Sequence, residues 1–241
     1  MPQEYRFDED FLVTFQVAMT ATDGWIMASD TQATQFAGIA SGGIRETTDT
    51  KKIAHDQSSR TTFMVSGDGV GRIAARDIIS ALRAFGSYPD DDWLEHAMPR
   101  IASAAFAEHT SKRQPPSPRK IILAVQNSRP FWQVWVGKNS TAERVYSKTF
   151  GGDETNSAKF FVEQYYNREA TVGTLLPLAA HSVLMAGNRN PSGVGGLEIT
   201  FWEDGGLIDW SVDSPELRQL ADRSEQIDTY VKTHLLDAII P

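Results

Sequence analysis

The segment from Thr14 to Thr34 constrains the fold of this chain more than any other. Two runs of apolar residues, Phe15-Gln16-Val17-Ala18-Met19 and Trp25-Ile26-Met27-Ala28, stand on either side of Asp23-Gly24. Asp and Gly tolerate the positive φ that a tight turn demands, so this arrangement predicts a β-hairpin that turns at Asp23-Gly24. Closing the hairpin returns Asp30 to the start of the first strand, beside Thr14. A hydroxyl and a carboxylate thus meet at one end of the hairpin, and a lysine pair, Lys51-Lys52, follows shortly downstream.

Composition limits what such a site can be built into. The chain has 241 residues, of which 41% are hydrophobic and 10% aromatic, enough for a sizeable core. A net charge of -8 disfavours a phosphate-binding surface, so nucleic acid is not an expected partner. The chain has no cysteine, which excludes disulfides, thiolate catalysis and cysteine metal sites. His55, His96, His109, His181 and His234 show no metal-ligand spacing, so neither metal nor cofactor is expected. No apolar run approaches the roughly 20 residues needed to cross a bilayer. Residues Met1 to Asp10 carry four acidic side chains and no apolar stretch of the kind a secretory signal needs. These features predict a cytoplasmic protein with no membrane partner.

Periodicity organises the rest. Lys51 to His55 and Thr61 to Ser66 read as strands of a second hairpin. Gly67-Asp68-Gly69 then breaks the chain, and Val70, Ile73, Ala74, Ile78, Ala81, Leu82 and Phe85 recur at helical spacing. Asp90 to Lys112 repeats the helical pattern with acidic residues in its first turn, and Pro99 predicts a kink or break inside it. Gln114-Pro115-Pro116-Ser117-Pro118 marks a stop. Strands follow at Lys120 to Gln126, Phe131 to Val136 and Arg144 to Thr149, then helices near Glu154 to Asn167 and Gly173 to Arg189. A hairpin over Leu197 to Trp202 and Leu207 to Ser211 turns at Asp204-Gly205-Gly206. The last helix runs from Pro215 to about Asp237, with Ser214 as its N-cap. Alternation within the strands puts Val17, Met19, Ile26, Phe63, Val65, Ile121, Leu123 and Val134 on faces toward a core. Antiparallel strand groups alternating with helix pairs suit two stacked sheets with helices on both outer sides, rather than a parallel βαβ sheet. The expected class is α+β, a four-layer αββα sandwich.

In this element order the chain resembles the proteasome β-subunits and their bacterial, Anbu-like relatives within the Ntn hydrolase superfamily. The resemblance covers nearly all of Thr14 to Ser211 in element order. It is specific in sequence at Thr14 through Thr34 and from Lys51-Lys52-Ile53 to Ser66-Gly67. It implies an N-terminal-nucleophile amidohydrolase, a threonine-type endopeptidase whose subunits form a homo-oligomeric ring around a chamber that receives peptide or unfolded protein. An unfoldase partner is left unspecified. Residues 1–13 would be a propeptide or N-terminal extension, and 14–241 a single subunit domain.

The chemistry behind that pattern follows from the residues. A threonine hydroxyl needs a base, and its own α-amine, with a reference pKa of about 7.7–8.0, suits once the preceding peptide bond is cut. A lysine ammonium beside the hydroxyl favours the alkoxide, and a carboxylate fixes the lysine. By resemblance these roles fall to Thr14, Lys52 and Asp30. Adjacent strand residues face opposite sides, which leaves Lys51 as the alternative to Lys52. Gly67, at the junction of strand and helix, matches the glycine whose N–H donates to the oxyanion. Asn190 and Ser192 match the supporting positions, where the family carries an aspartate and a serine.

Three residues depart from the pattern. Val13 stands where glycine usually precedes the threonine, Phe150-Gly151-Gly152-Asp153 lacks the family's supporting serine, and an amide replaces a carboxylate at Asn188 or Asn190. The alternative function is therefore a catalytically inactive structural or binding subunit of the same fold.

Overall fold

The computed structural model describes residues 14–36, 45–67, 69–86, 88–110, 120–127, 132–138, 141–153, 155–190, 194–211 and 213–236. The expected extension 1–13, Asp68 and Ser192 lie outside them. Among the described residues the chain forms β1 (Phe15–Thr20), β2 (Gly24–Ser29), β3 (Gln32–Phe36), β4 (Arg45–Asp49), β5 (Ile53–Asp56) and β6 (Thr61–Ser66), then helices α1 (Gly69–Phe85) and α2 (Asp91–Thr110). It continues through β7 (Lys120–Gln126), β8 (Trp132–Lys138), β9 (Thr141–Val145) and β10 (Lys148–Gly152), helices α3 (Lys159–Tyr165) and α4 (Val172–Arg189), β11 (Glu198–Glu203), β12 (Gly206–Trp210) and α5 (Pro215–Leu236).

All pairings are antiparallel, and the fold is α+β. One five-stranded sheet has the order β10-β1-β2-β11-β12, the other β5-β6-β7-β8-β9, and β3 pairs with β4 apart from both. Three apolar cores follow from strand alternation. On one face of β1 and β2, Phe15, Val17, Met19, Ile26 and Ala28 pack with Val172, Leu175, Ala179 and Val183 of α4. The opposite face presents Ala18, Trp25 and Met27 to Ile53, Met64, Ile122, Ala124 and Val134 of the second sheet. Beyond that sheet, Ile121, Leu123, Val125 and Trp135 pack with Ala74, Ile78, Leu94, Met98 and Phe106 of α1 and α2. Among the described residues no helix is long and apolar enough to cross a membrane.

The first hairpin forms with Gln16 opposite Ser29, but its turn is not the one the dipeptide suggests. Neither Asp23 nor Gly24 has a positive φ. Asp23 instead accepts the N–H of Val172 at 2.8 Å and so caps α4, since the first N–H groups of a helix lack partners within it. Gly24 is needed for space: a Cβ there would lie 1.7 Å from the carbonyl oxygen of Trp202 on β11. A left-handed turn stands instead at the β11–β12 hairpin, with φ of 49° at Asp204 and 83° at Gly205.

Other departures have local causes. The strand expected over Arg144 to Thr149 is two strands in different sheets, β9 and β10. The chain crosses between them at Tyr146-Ser147, whose carbonyls accept the Thr20 hydroxyl while Ser147 also accepts the Thr20 N–H. The hairpin β3–β4 is polar at most positions and carries no apolar period to betray it. Helix α3 starts late because Asp153 and Asn156 turn the chain: their side chains accept the N–H of Thr155 and of Ala158. Pro99 does not break α2, which runs through it with Met98 and Ala102 buried. Phe63 and Val65 are only half-buried, while the other six residues expected inside are buried. Ser214 caps α5 as expected, its hydroxyl accepting the N–H of Leu217 at 3.3 Å.

A close-approach glycine and a left-handed glycine respond differently to asparagine. Gly24→Ala and Gly24→Asn are both expected to destabilise the protein by about 1–3 kcal/mol through overpacking. Gly205→Asn is expected to cost much less than Gly205→Ala, because Asn tolerates the left-handed region. Urea denaturation of the four variants measures the difference; rescue by Asn at position 24 would contradict the crowding against Trp202.

Candidate functional site

Three chain segments converge where β1 begins, β2 ends and β5 begins. Thr14 precedes β1, and pairing of Gln16 with Ser29 brings Asp30 back alongside, its N–H donating to the Phe15 carbonyl at 3.2 Å. Lys52 enters from the other sheet, one residue before β5. The Lys52 ammonium donates to Asp30 Oδ2 at 2.7 Å, to the Gln32 carbonyl at 2.7 Å and to the Thr14 hydroxyl. These three acceptors account for all three of its protons. Asp30 Oδ1 accepts the Thr14 hydroxyl at 2.5 Å and the Phe15 N–H at 2.9 Å.

Lys52, and not Lys51, reaches the hydroxyl; Lys51 pairs with Asp209 at the surface. The side chains of Asp30 and Lys52 are 0% and 8% exposed. Burial pulls the Asp30 carboxyl above its ordinary pKa and the Lys52 ammonium below its own, and the attraction between the two opposes both shifts. The result is a hydroxyl held between a buried acid and a buried amine. Such a hydroxyl is poised to lose its proton to a nearby base and to have the resulting charge stabilised.

The other expected site residues occupy different places. Gly67 has φ of 101° between β6 and α1, a conformation that favours glycine. Asn190 caps the C-terminus of α4, and its carbonyl accepts the Val194 N–H at 2.9 Å. The segment that follows presses on the site from behind: the Gly195 carbonyl accepts the N–H groups of Thr31 and Gln32, and Gln32 in turn accepts Lys52. Gly152, in the stretch that lacks a serine, has φ of 79°, and a Cβ there would lie 1.9 Å from the Thr14 carbonyl oxygen. The next residue, Asp153, donates its N–H to that same carbonyl at 2.7 Å.

Glu198 is the residue that sequence reasoning missed. It opens β11 in the first sheet and is 3% exposed. Its Oε1 accepts the N–H of Lys52 at 2.5 Å and of Ile53 at 2.9 Å, which fastens the lysine backbone across the two sheets. Burial pushes its pKa up to about 7, against the pull of those two N–H groups. Its sequence position carries no signal, because Glu198 alternates with the apolar Leu197, Ile199 and Phe201 as a solvent-facing strand residue would. As for metal ligands, among the described residues Asp77 of α1 with Glu108 and His109 of α2 bring ligand atoms within 4.8 Å of one another. His109 is already paired with Asp77 there at 2.6 Å.

A carboxyl whose pKa is higher in the folded than in the unfolded chain binds its proton more tightly when folded. Its contribution is therefore fully present below the unfolded value of about 4.5 and is lost as pH rises through about 7. Relative to Glu198→Gln, the unmodified chain is expected to lose stability between pH 5 and pH 8 by up to about 3 kcal/mol. Urea midpoints at the two pH values test this, and an unchanged difference between the two proteins would contradict it.

No family model matches the sequence, and no curated protein matches it by sequence. Solved structures do match. Anbu from Hyphomicrobium sp. strain MC1 superposes with a TM-score of 0.64 at 16% identity, over 92% of this chain and 97% of that one. The Gly-1 mutant of the same protein gives 0.63 at 16% identity over the same shares. Anbu from Yersinia bercovieri, described as an ancestral beta-subunit, gives 0.64 at 14% identity, over 95% of this chain and 98% of that one. At these identities the likeness speaks for the fold, and it meets the resemblance carried by the Thr14–Thr34 and Lys51–Gly67 segments: this chain has the fold of the Anbu, proteasome β-subunit-like proteins.

Proposed function

We propose that this chain is an N-terminal-nucleophile hydrolase of the threonine type, active on peptide bonds after cleavage before Thr14 and working in a ring of its own copies. The observation that carries this reading is the Thr14 hydroxyl bonded at once to buried Asp30 and buried Lys52. The three stacked cores support reading the molecule as a four-layer αββα sandwich, with 14–241 as one subunit.

In the uncut chain the nitrogen of Thr14 is an amide with no basicity. Cleavage frees an α-amine beside the hydroxyl. The amine takes the hydroxyl proton, the Lys52 charge stabilises the developing alkoxide, and the oxygen attacks the substrate carbonyl. The Gly67 N–H is the assigned donor to the oxyanion. Collapse passes the proton to the leaving amine and leaves an ester on Thr14, which a water activated by the same α-amine hydrolyses. Asp30 anchors Lys52 throughout. Asn190 and Ser192 are the assigned supporting residues.

The second reading, a subunit of the same fold without activity, is favoured by Asp153 standing where the resemblance expects a serine, its carboxylate turned to Thr155 in a local turn. Processing separates the two. Intact mass of the purified protein is expected to show loss of residues 1–13. A chain released from a removable fusion to begin at Thr14 is expected to hydrolyse fluorogenic peptides and to be labelled by an epoxyketone. Thr14→Ala should abolish both, and Thr14→Ser should retain part of the activity. No turnover and no labelling by the folded, assembled chain would favour the inactive subunit. Light scattering is expected to give a multiple of the subunit mass, which is 26.7 kDa for the uncut chain and less once residues 1–13 are lost, and a monomer at micromolar concentration would remove the ring from the proposal.

A further inference from the structure

Lys52 has a second neighbourhood. Its side chain also borders an open pocket of about 440 Å³ between β5, β6 and α1, within the usual range of small-ligand pockets. Ala54, Phe63 and Val65 give this pocket apolar walls, which is why Phe63 and Val65 are not fully buried. Its polar lining is mostly cationic. Lys51, Arg72, Arg76 and Arg83 join Lys52 there, in a protein whose net charge is -8.

Most of these charges are already answered. Lys52 pairs with Asp30, Lys51 with Asp209, and Arg83 holds Asp56 through two nitrogens, at 2.5 and 3.1 Å. That pairing keeps the Asp56 carboxyl far below the usual range, so the one acid lining the pocket is an ion already committed to Arg83. His55, also at the pocket, is pushed below its ordinary pKa by burial and adds no charge at neutral pH. Arg72 and Arg76 are left without an acidic partner among the described residues. They stand one turn apart on α1, a spacing at which like charges repel, and both line the pocket. Arg72 is near enough for its charge to act on the Lys52 ammonium. The pocket therefore offers an apolar stem-binding wall, two guanidinium groups with no acidic partner among the described residues, and a direct border with the residue that holds the Thr14 hydroxyl.

We infer that this pocket receives the acidic side chain, glutamate before aspartate, of a peptide laid across Thr14, with Arg72 and Arg76 as the residues that select it. A guanidinium presents paired donors matched to a carboxylate, and the longer glutamate stem covers more of the Phe63–Val65 wall. The inference takes its peptide from the hydrolase reading above, in which that side chain precedes the bond to be cut.

The test compares capped fluorescent tetrapeptides ending in Glu, Gln, Leu or Lys for binding to the full chain carrying Thr14→Ala, with the unmodified full chain alongside. The Glu peptide is expected to bind at least tenfold more tightly than the isosteric Gln peptide, an advantage that shrinks between 50 mM and 500 mM salt. Arg72→Ala/Arg76→Ala should erase the advantage, and Arg72→Glu/Arg76→Glu should transfer it to the Lys peptide. Equal binding of Glu and Gln peptides, no binding of the Glu peptide, or a preference that survives both double substitutions would overturn the inference. Turnover by the chain that begins at Thr14 keeps the two proposals apart. Selective binding of the Glu peptide without any turnover sinks the hydrolase and keeps the acidic subsite; faster cleavage after Leu or Lys than after Glu sinks the subsite and keeps the hydrolase.

Discussion

A buried ammonium is tolerated only when each of its protons finds an acceptor, and Lys52 draws its three acceptors from two stretches of chain distant from its own: Thr14 from one, Asp30 and the Gln32 carbonyl from the other. The lysine leads into one sheet, while Thr14 and Asp30 stand at the strand ends of the other. Its ion pair with Asp30 is thus also a joint between the sheets, and Glu198 makes a second joint by holding the backbone of the same lysine. Removing one partner of such a pair leaves a buried charge unanswered, a loss of about 3–5 kcal/mol in buried pairs generally. The third acceptor is itself held in place. Gln32 can present its carbonyl because Gly195 holds its N–H, and Gly195 is held in turn by the end of α4 through Asn190 and Val194.

Much of this was legible in the residues, for identifiable reasons. The hairpin over Thr14 to Asp30 shows itself because its apolar residues are dense and its turn is short, and once it closes, the meeting of Thr14 and Asp30 is a matter of register. Helices α1, α4 and α5 show themselves by spacing and by the cap at Ser214. The choice between Lys51 and Lys52 lies one step beyond, since it depends on which face of an incoming chain meets the other sheet.

What was not legible depended on contacts between distant elements. Gly24 looks like a turn glycine and is in fact a glycine of close approach, because the carbonyl it must clear belongs to Trp202, far along the chain. The chain leaves one sheet for the other at Tyr146-Ser147, and the partner that fixes this crossing is Thr20. Glu198 reads as an ordinary charged strand residue until the backbone of Lys52 is brought against it. The polar hairpin β3–β4 has no face of its own to bury, so nothing periodic announces it.

The grip of β10 on Thr14 has a consequence for the chain end that cleavage would create. Chain ends ordinarily fray, because their last residues have few bonds to lose. Residue 14 is held otherwise: Asp153 fixes its carbonyl, Asp30 and Lys52 fix its hydroxyl, and Asp30 also takes the N–H of the residue after it. Gly152 lets the neighbouring strand come close enough for this. A new terminus at that position would be born ordered. Its amine would stand at a fixed bearing from the hydroxyl, and no conformational search by the end of the chain would have to precede the reaction.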